Sequence, residues 1–147
     1  MAKFVGEVGY TFTGDGYVSI RVQNILNLES LTSGLLKMEL WNLDKPRGQG
    51  GQYHVVASYQ FSDPLLIGQA YSNVERKVKM LQNVTRPRMA LVLLSRQDGV
   101  FEFEDARDFD KKVNFIDANP KTNNNANEEL IAKLALLKLM SDLGALK

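Results

Sequence analysis

The stretch that decides the fold is MALVLLSRQDGVFEF, residues 89–103. Its first six residues are all apolar, which is typical of a central β-strand that is buried on both faces. Asp98-Gly99 is a strong signal for a tight hairpin turn, because both residue types tolerate the positive φ angles that such turns need. The stretch therefore predicts two paired antiparallel strands in a mainly β protein.

Alternation of apolar and polar residues predicts further strands on both sides of this hairpin. They are expected over residues 2–12, 17–24, 35–43, 53–61, 71–81 and 109–115. Thr13-Gly14-Asp15-Gly16 is a turn cluster that joins the first two strands into a hairpin. In the segment 53–61, uninterrupted alternation would place Tyr53 and Tyr59 on the same face. About eight strands with turns between them favour an antiparallel β-sandwich over residues 1–117.

The C-terminal part of the chain has a different composition. Residues 118–125 are rich in asparagine and are interpreted as a linker. Residues 126–144 are predicted to form an α-helix, which Asn125 caps and Gly144 ends. Apolar residues occupy most of the circumference of this helix, so it needs burial on more than one side. The expected contact residues are Leu130, Ile131, Leu134, Leu137 and Met140.

Three surfaces could bury this helix, and the sequence leaves all three open. The helix could pack on its own sandwich, bind a second protomer or another protein, or lie on a membrane surface. Burial against a copy of the chain or a protein partner is the leading hypothesis, because one sheet covers only part of such a helix. The asparagine-rich linker would allow the helix to reach a neighbouring protomer.

Composition excludes several kinds of functional site. The 147 residues contain no cysteine and a single histidine, His54. Disulfides, thiolate metal sites and a two-histidine metal site within one protomer are therefore excluded. The formal net charge of +1 gives no global attraction to nucleic acid, and no nucleic-acid partner is expected. No catalytic arrangement or phosphate-binding loop is recognisable, so the prediction is a protein that is not an enzyme and has no cofactor.

The sequence predicts neither a membrane-spanning segment nor a leader. No stretch has the length and hydropathy of a transmembrane helix, and the N-terminus does not resemble a signal peptide. The location stays open between the cytoplasm and export without a conventional signal.

Aromatic residues suggest an alternative function in binding. Trp41, Tyr53 and Tyr59 would form a stacking platform for sugar rings if they were exposed together. The alternative hypothesis is therefore a carbohydrate- or surface-binding module.

An acidic run near the end of the predicted sandwich is a candidate cation site. Carboxylates at Glu102, Glu104, Asp105 and Asp108 are of the type that a hard cation such as calcium prefers. Basic residues are interleaved with them, and the EF-hand spacing is absent. A solvated turn of mixed charge is the better interpretation, so no metal site is predicted, although stabilisation by calcium stays open.

Residues 33–43, SGLLKMELWNL, resemble a family of bacterial β-sandwich modules with the pattern S-G-x-L-x-x-x-L-W. Pro46, Gly50-Gly51 and Tyr59 follow in the family's order, and the resemblance covers about residues 17–115. Such modules occur in larger surface or secreted bacterial proteins, beside adhesion or protease domains, and carry no known chemistry. The resemblance implies a non-enzymatic, adhesion-like sandwich. Asn42 departs from the small residue usual there, and the C-terminal helix lies outside the pattern.

Overall fold

The computed structural model describes residues 1–28 and 32–120, together with Ala135 and Lys138. In this part of the chain, seven antiparallel strands form two sheets, and one short helix follows them. The elements are β1 (Ala2–Phe12), β2 (Tyr17–Asn27), β3 (Leu35–Leu43), β4 (Tyr53–Gln60), β5 (Ala70–Lys79), β6 (Arg88–Gln97), β7 (Val100–Phe109) and α1 (Phe115–Ala118). The strand order is β1-β2-β5 in one sheet and β4-β3-β6-β7 in the other.

The structure confirms a mainly β protein, and it confirms the stretch at residues 89–103 as its centre. β6 lies between β3 and β7, and its residues from Met89 to Leu93 are each at most 1% exposed. Asp98 and Gly99 have φ angles of 52° and 82°, the positive values that a tight hairpin turn requires. The apolar run therefore forms the inner strand β6, and the turn that follows joins it to the edge strand β7.

One hydrophobic core contains buried side chains from both sheets. Its members include Phe4, Val18, Ile20, Val22, Ile25 and Val74 of the three-stranded sheet, and Leu36, Met38, Leu40, Met89, Leu91 and Leu93 of the four-stranded sheet. Because each sheet directs every second side chain into this core, burial of apolar surface is the main force that holds the two sheets together.

The prediction of an eighth strand at residues 109–115 is wrong for the described chain. β7 continues as far as Phe109, and Phe115 begins α1. The Asn114 side chain accepts hydrogen bonds from the backbone N–H groups of Ile116 and Asp117. This cap satisfies two of the N–H groups that a helix start leaves without a partner, and it favours a helical turn over an extended chain.

A β-bulge reverses the facing of side chains within β4. Leu40 of β3 pairs with Ala57, whereas the next residue, Trp41, pairs with Val55. Val56 is therefore an extra residue in β4, and the two halves of the strand alternate out of phase. Tyr53 faces outward with Trp41, while Tyr59 packs against the core. The prediction that Tyr53 and Tyr59 share a face is wrong for this reason.

Most of the predicted C-terminal helix lies outside the described residues, including all five expected contact residues. Ala135 and Lys138 are helical and exposed. Upstream of that segment, Ala118 of α1 is 1% exposed, and the Asn119 side chain forms hydrogen bonds with the backbone N–H and C=O of Val84 at 2.7 and 3.1 Å. The packed body therefore includes α1 and Asn119.

Candidate functional site

An aromatic pair lies on the outward face of the four-stranded sheet. The rings of Trp41 and Tyr53 stack with centroids 3.9 Å apart and planes 12° apart. The Trp41 indole N–H donates to Oε1 of Glu39 at 3.1 Å, and Oε2 of the same carboxylate lies 3.2 Å from Nζ of Lys37. Trp41 is half-buried, whereas Tyr53 is 51% exposed. The pair thus presents apolar ring surface to solvent beside fixed polar groups.

The loop after β3, residues 44–52, extends over this face as far as β7. Nε and Nη2 of Arg47 donate to the two carboxylate oxygens of Asp108 at 2.7 and 3.0 Å. The Arg47 guanidinium carbon also lies 5.7 Å from the ring centre of Phe103, within range of a cation–π interaction. A cavity of about 270 Å³ is bordered by this loop together with Trp41, Tyr53 and Phe103. We refer to these residues and the loop as the aromatic site.

The structure brings together two of the three predicted platform residues. Tyr59 is separate from the aromatic site, since its ring packs edge-on against Phe61 at 5.1 Å and the Arg76 guanidinium lies 5.2 Å from its centre. Sequence reasoning missed Phe103 and Arg47. The alternation of Phe101 and Phe103 was a signal for an outward apolar face. By contrast, no local pattern links Arg47 to a carboxylate 61 positions away.

The four carboxylates of the acidic run do not converge on one point. Asp108 binds the loop, Glu104 accepts a hydrogen bond from Oγ of Ser95 at 2.7 Å, and Asp105 accepts one from a backbone N–H of β1; Glu102 is exposed. Among the described residues, no group of three or more histidine, aspartate or glutamate side chains could hold a metal ion. The segment that was expected to be a solvated turn is the edge strand β7.

Asp105 and Arg107 join the edges of the two sheets. Oδ2 of Asp105 accepts a hydrogen bond from the Phe4 N–H at 2.9 Å. The Arg107 guanidinium donates to the carbonyl oxygens of Phe4 and Gly6, each at 3.0 Å. Because β1 is an edge strand, these backbone groups point away from its only neighbouring strand, and β7 side chains satisfy them instead. We call this contact the β1–β7 seam.

The single histidine is held in place by two hydrogen bonds. Nδ1 of His54 lies 2.9 Å from Nη1 of Arg86, and Nε2 lies 2.9 Å from the carbonyl oxygen of Asn83. A guanidinium group only donates and a carbonyl only accepts. The two contacts match the tautomer in which Nε2 carries the hydrogen and Nδ1 accepts. Both ring nitrogens therefore form hydrogen bonds to the segment of residues 83–86. This supports the interpretation of His54 as a structural residue.

A groove of about 530 Å³ lies beside the β1–β7 seam, and we call it the β1–β7 groove. Its apolar lining includes Tyr10, Phe12, Phe109 and Val113, and its charged lining residues are Arg21, Lys111, Lys112 and Asp117. The Tyr10 ring meets the Phe109 ring edge-on at 4.7 Å, and burial raises the pKa of the Tyr10 hydroxyl above its usual value of 10.0. The four apolar side chains are only partly buried, so the groove has apolar surface left to cover.

A polar cavity of about 920 Å³ lies on the three-stranded sheet. It forms where β1 bulges between Val5 and Val8, at a Gly6 that has φ of 84°. The Gln23 side chain packs over Gly6, 2.2 Å from the place where a Cβ would stand. Arg21 and Glu75 both line this cavity, so its charges are mixed and favour no single class of ligand.

Comparison of the chain with models of known protein families, with curated proteins and with solved structures produced no match. In the ranges that the structure describes, no helix has the length and hydropathy needed to cross a membrane. The resemblance to bacterial β-sandwich modules therefore stays a prediction, and the function is inferred from the geometry above.

Proposed function

We propose that the two sheets form a β-sandwich and that the protein is a non-enzymatic structural or interaction module. In this proposal it binds copies of itself, or a protein partner, through the apolar helix at residues 126–144. Four side chains that could act in catalysis or metal binding instead form hydrogen bonds within the body. His54 bonds to residues 83–86, Asp105 and Arg107 bond across the seam, and Asp108 bonds to the loop after β3.

The helical state of Ala135 and Lys138 is the observation that carries the proposal. These two residues lie inside the sequence that was predicted to be an apolar helix, and neither is one of its large apolar side chains. Their exposure gives the helix a solvent side, which leaves leucine-rich sides for a partner. Burial of one leucine side chain contributes about 1.5–3 kcal/mol, so a few such residues can hold an assembly together after the costs of association.

Substitution on two sides of the helix tests the proposal in the full-length chain. Leu130→Asp with Leu134→Asp places two charges on the proposed contact side and should convert an assembly to monomers. Ala135→Asp places an aspartate on the exposed side, about 100° around the predicted helix from Leu134, and should leave the mass unchanged. Light scattering after size-exclusion chromatography measures both. An assembly that survives Leu130→Asp with Leu134→Asp would contradict the proposal.

The aromatic site favours a second candidate function, the binding of a sugar or another planar apolar ligand. The Tyr53 ring is exposed and stacks on Trp41 beside a cavity, with Arg47 and Glu39 as nearby hydrogen-bonding groups. Trp41 is the only tryptophan, so its fluorescence reports directly on this site. A glycan that binds should shift the emission, and Tyr53→Ala should abolish the shift while Tyr17→Ala on the other sheet retains it. No shift across a broad glycan panel would remove this candidate.

A further inference from the structure

The β1–β7 groove lies close to the point where the chain leaves the described body. Asp117 of α1 lines the groove, and Pro120, three residues later, ends the continuous described range. Residues 121–125 can span at most about 17 Å when fully extended. Pro120 itself lines a separate cavity with Gly16 and residues 79–83, so residues 121–125 have to lead the chain back toward Asp117 to bring the predicted helix to the groove. A tether this short gives an effective concentration in the millimolar range.

The groove and residues 126–144 are complementary in chemistry. The groove offers partly buried rings at Tyr10, Phe12 and Phe109, and the segment is rich in leucine. Lys111 and Lys112 also line the groove, while Glu129, near the start of the segment, falls on the side of the predicted helix that carries Leu136 and Met140. Apolar burial and opposite charge thus favour the same pairing.

The two described residues of the segment indicate which side would face the groove. Ala135 and Lys138 are helical and exposed, and residues three apart lie on one side of a helix. On the helix that the sequence predicts, Leu136, Leu137 and Met140 lie on the opposite side, since successive residues are separated by about 100°.

We propose that residues 126–144 dock in the β1–β7 groove of their own chain, with Leu136, Leu137 and Met140 turned toward it. This inference rests on the proposed function, because it concerns the same helix and states where the helix is held. Leu130 and Leu134, on the flank of the docked helix, then form the surface that meets a partner.

Disulfide trapping tests this docking cleanly, because the chain has no cysteine of its own. Lys112→Cys, exposed in the groove lining, is combined with Met140→Cys in the full-length chain. Two matched controls are Lys112→Cys with Lys138→Cys, which uses the exposed side of the helix, and Gln60→Cys with Met140→Cys. Gln60 is exposed on β4, at the far edge of the four-stranded sheet from β7.

Docking predicts a disulfide within one chain that forms at least about tenfold faster for the 112–140 pair than for either control. Equal rates for all three pairs would overturn the proposal. A disulfide that joins two chains would also overturn it, and would show that the groove takes the segment of a second copy. Light scattering distinguishes failure of the docking from failure of the proposed function. If the protein assembles but the intrachain 112–140 disulfide does not form, only the docking is contradicted. If the disulfide forms but the protein is a monomer, only the proposed function is contradicted.

Discussion

In the β1–β7 seam, individual side chains of β7 form the hydrogen bonds that a neighbouring strand would form with the outer edge of β1. Arg107 donates to two backbone carbonyls, and Asp105 accepts from one N–H, all on the edge strand β1. A register shift in β7 between the partners of Leu93 and Leu94 leaves Glu104 as an extra residue and directs Asp105 toward β1. The acidic run was visible in the sequence, but this shift has no compositional mark, so the role of Asp105 could not be predicted.

Removal of Arg107 should destabilise the protein through the carbonyls it leaves behind. Arg107→Ala deprives Phe4 and Gly6 of charge-assisted hydrogen bonds, which should lower the free energy of unfolding by about 1–3 kcal/mol. Arg96→Ala, at an exposed position of the neighbouring strand β6, removes the same charge and serves as the control. Urea denaturation measures both, and equal midpoints for the two variants would show that the seam contributes no stability.

Asp15 should make stability depend on pH at the tip of the first hairpin. Hydrogen bonds from Thr13 and then from Lys77 hold the pKa of this carboxyl down, from its ordinary 3.8 to about 2. Because the folded state favours the charged form, the contribution is complete above pH 3.8 and is lost as the pH falls through about 2.

Asp15→Asn should therefore melt below the parent protein at pH 5, and the difference should shrink as the pH approaches 2. Thermal melts across that range measure the difference. Asp110→Asn, an exposed carboxylate beyond β7, controls for the general change in charge. A difference for Asp15→Asn that stays constant down to pH 2 would argue against the titration.

β1 to β5 followed closely from the sequence, because their alternation extends over eight or more residues, and β6 followed from its apolar run. β7 was predicted only as far as Phe103. The bulge at Val56 is the exception: one inserted residue leaves the composition unchanged yet reverses every side chain on one side of it. For this reason Trp41 and Tyr53 of the aromatic site could be proposed from the sequence, whereas Tyr59 was assigned to it wrongly. Arg47 could not be found, since its pairing with Asp108 depends on the path of a loop.

The contacts at the start of β3 give a physical reason for the Ser33-Gly34 pair. Ser33 exchanges hydrogen bonds with the backbone of Leu65 at 2.8 Å. A Cβ on Gly34 would stand 2.2 Å from the carbonyl oxygen of Arg96. That oxygen belongs to the backbone of the paired strand β6, so it cannot move aside as a flexible side chain could.

Gly34→Ala should therefore force β3 and β6 apart and lower the free energy of unfolding by about 1–3 kcal/mol. Gly9→Ala is the matched control within a strand, because its Cβ would meet only the flexible end of Arg21, at 3.1 Å. Chemical denaturation compares the two variants. A Gly34→Ala protein as stable as Gly9→Ala would mean that the strand pair adapts without cost.

The two sheets are joined by one hydrophobic core and by contacts at both pairs of edges. We call the contact between Leu81 and Val56 the second seam. Opposite the β1–β7 seam, the Leu81 N–H donates to the carbonyl oxygen of Val56 at 2.7 Å, which connects the chain after β5 to the bulge of β4. The core spans both sheets and includes Ala118 of α1. We expect residues 1–120 to contain what the body needs to fold, with α1 as its last required element.

Two truncated chains test this boundary. A chain that ends at Pro120 should unfold cooperatively, because it keeps the core, both seams and α1. A chain that ends at Val113 loses the buried Ala118 and both hydrogen bonds between Asn119 and Val84, and should be about 2–3 kcal/mol less stable than the 1–120 chain. Urea denaturation followed by Trp41 fluorescence measures the difference. If the 1–120 chain fails to fold while the full-length chain does, residues beyond Pro120 belong to the core, and the C-terminal helix has a structural role before any role in assembly.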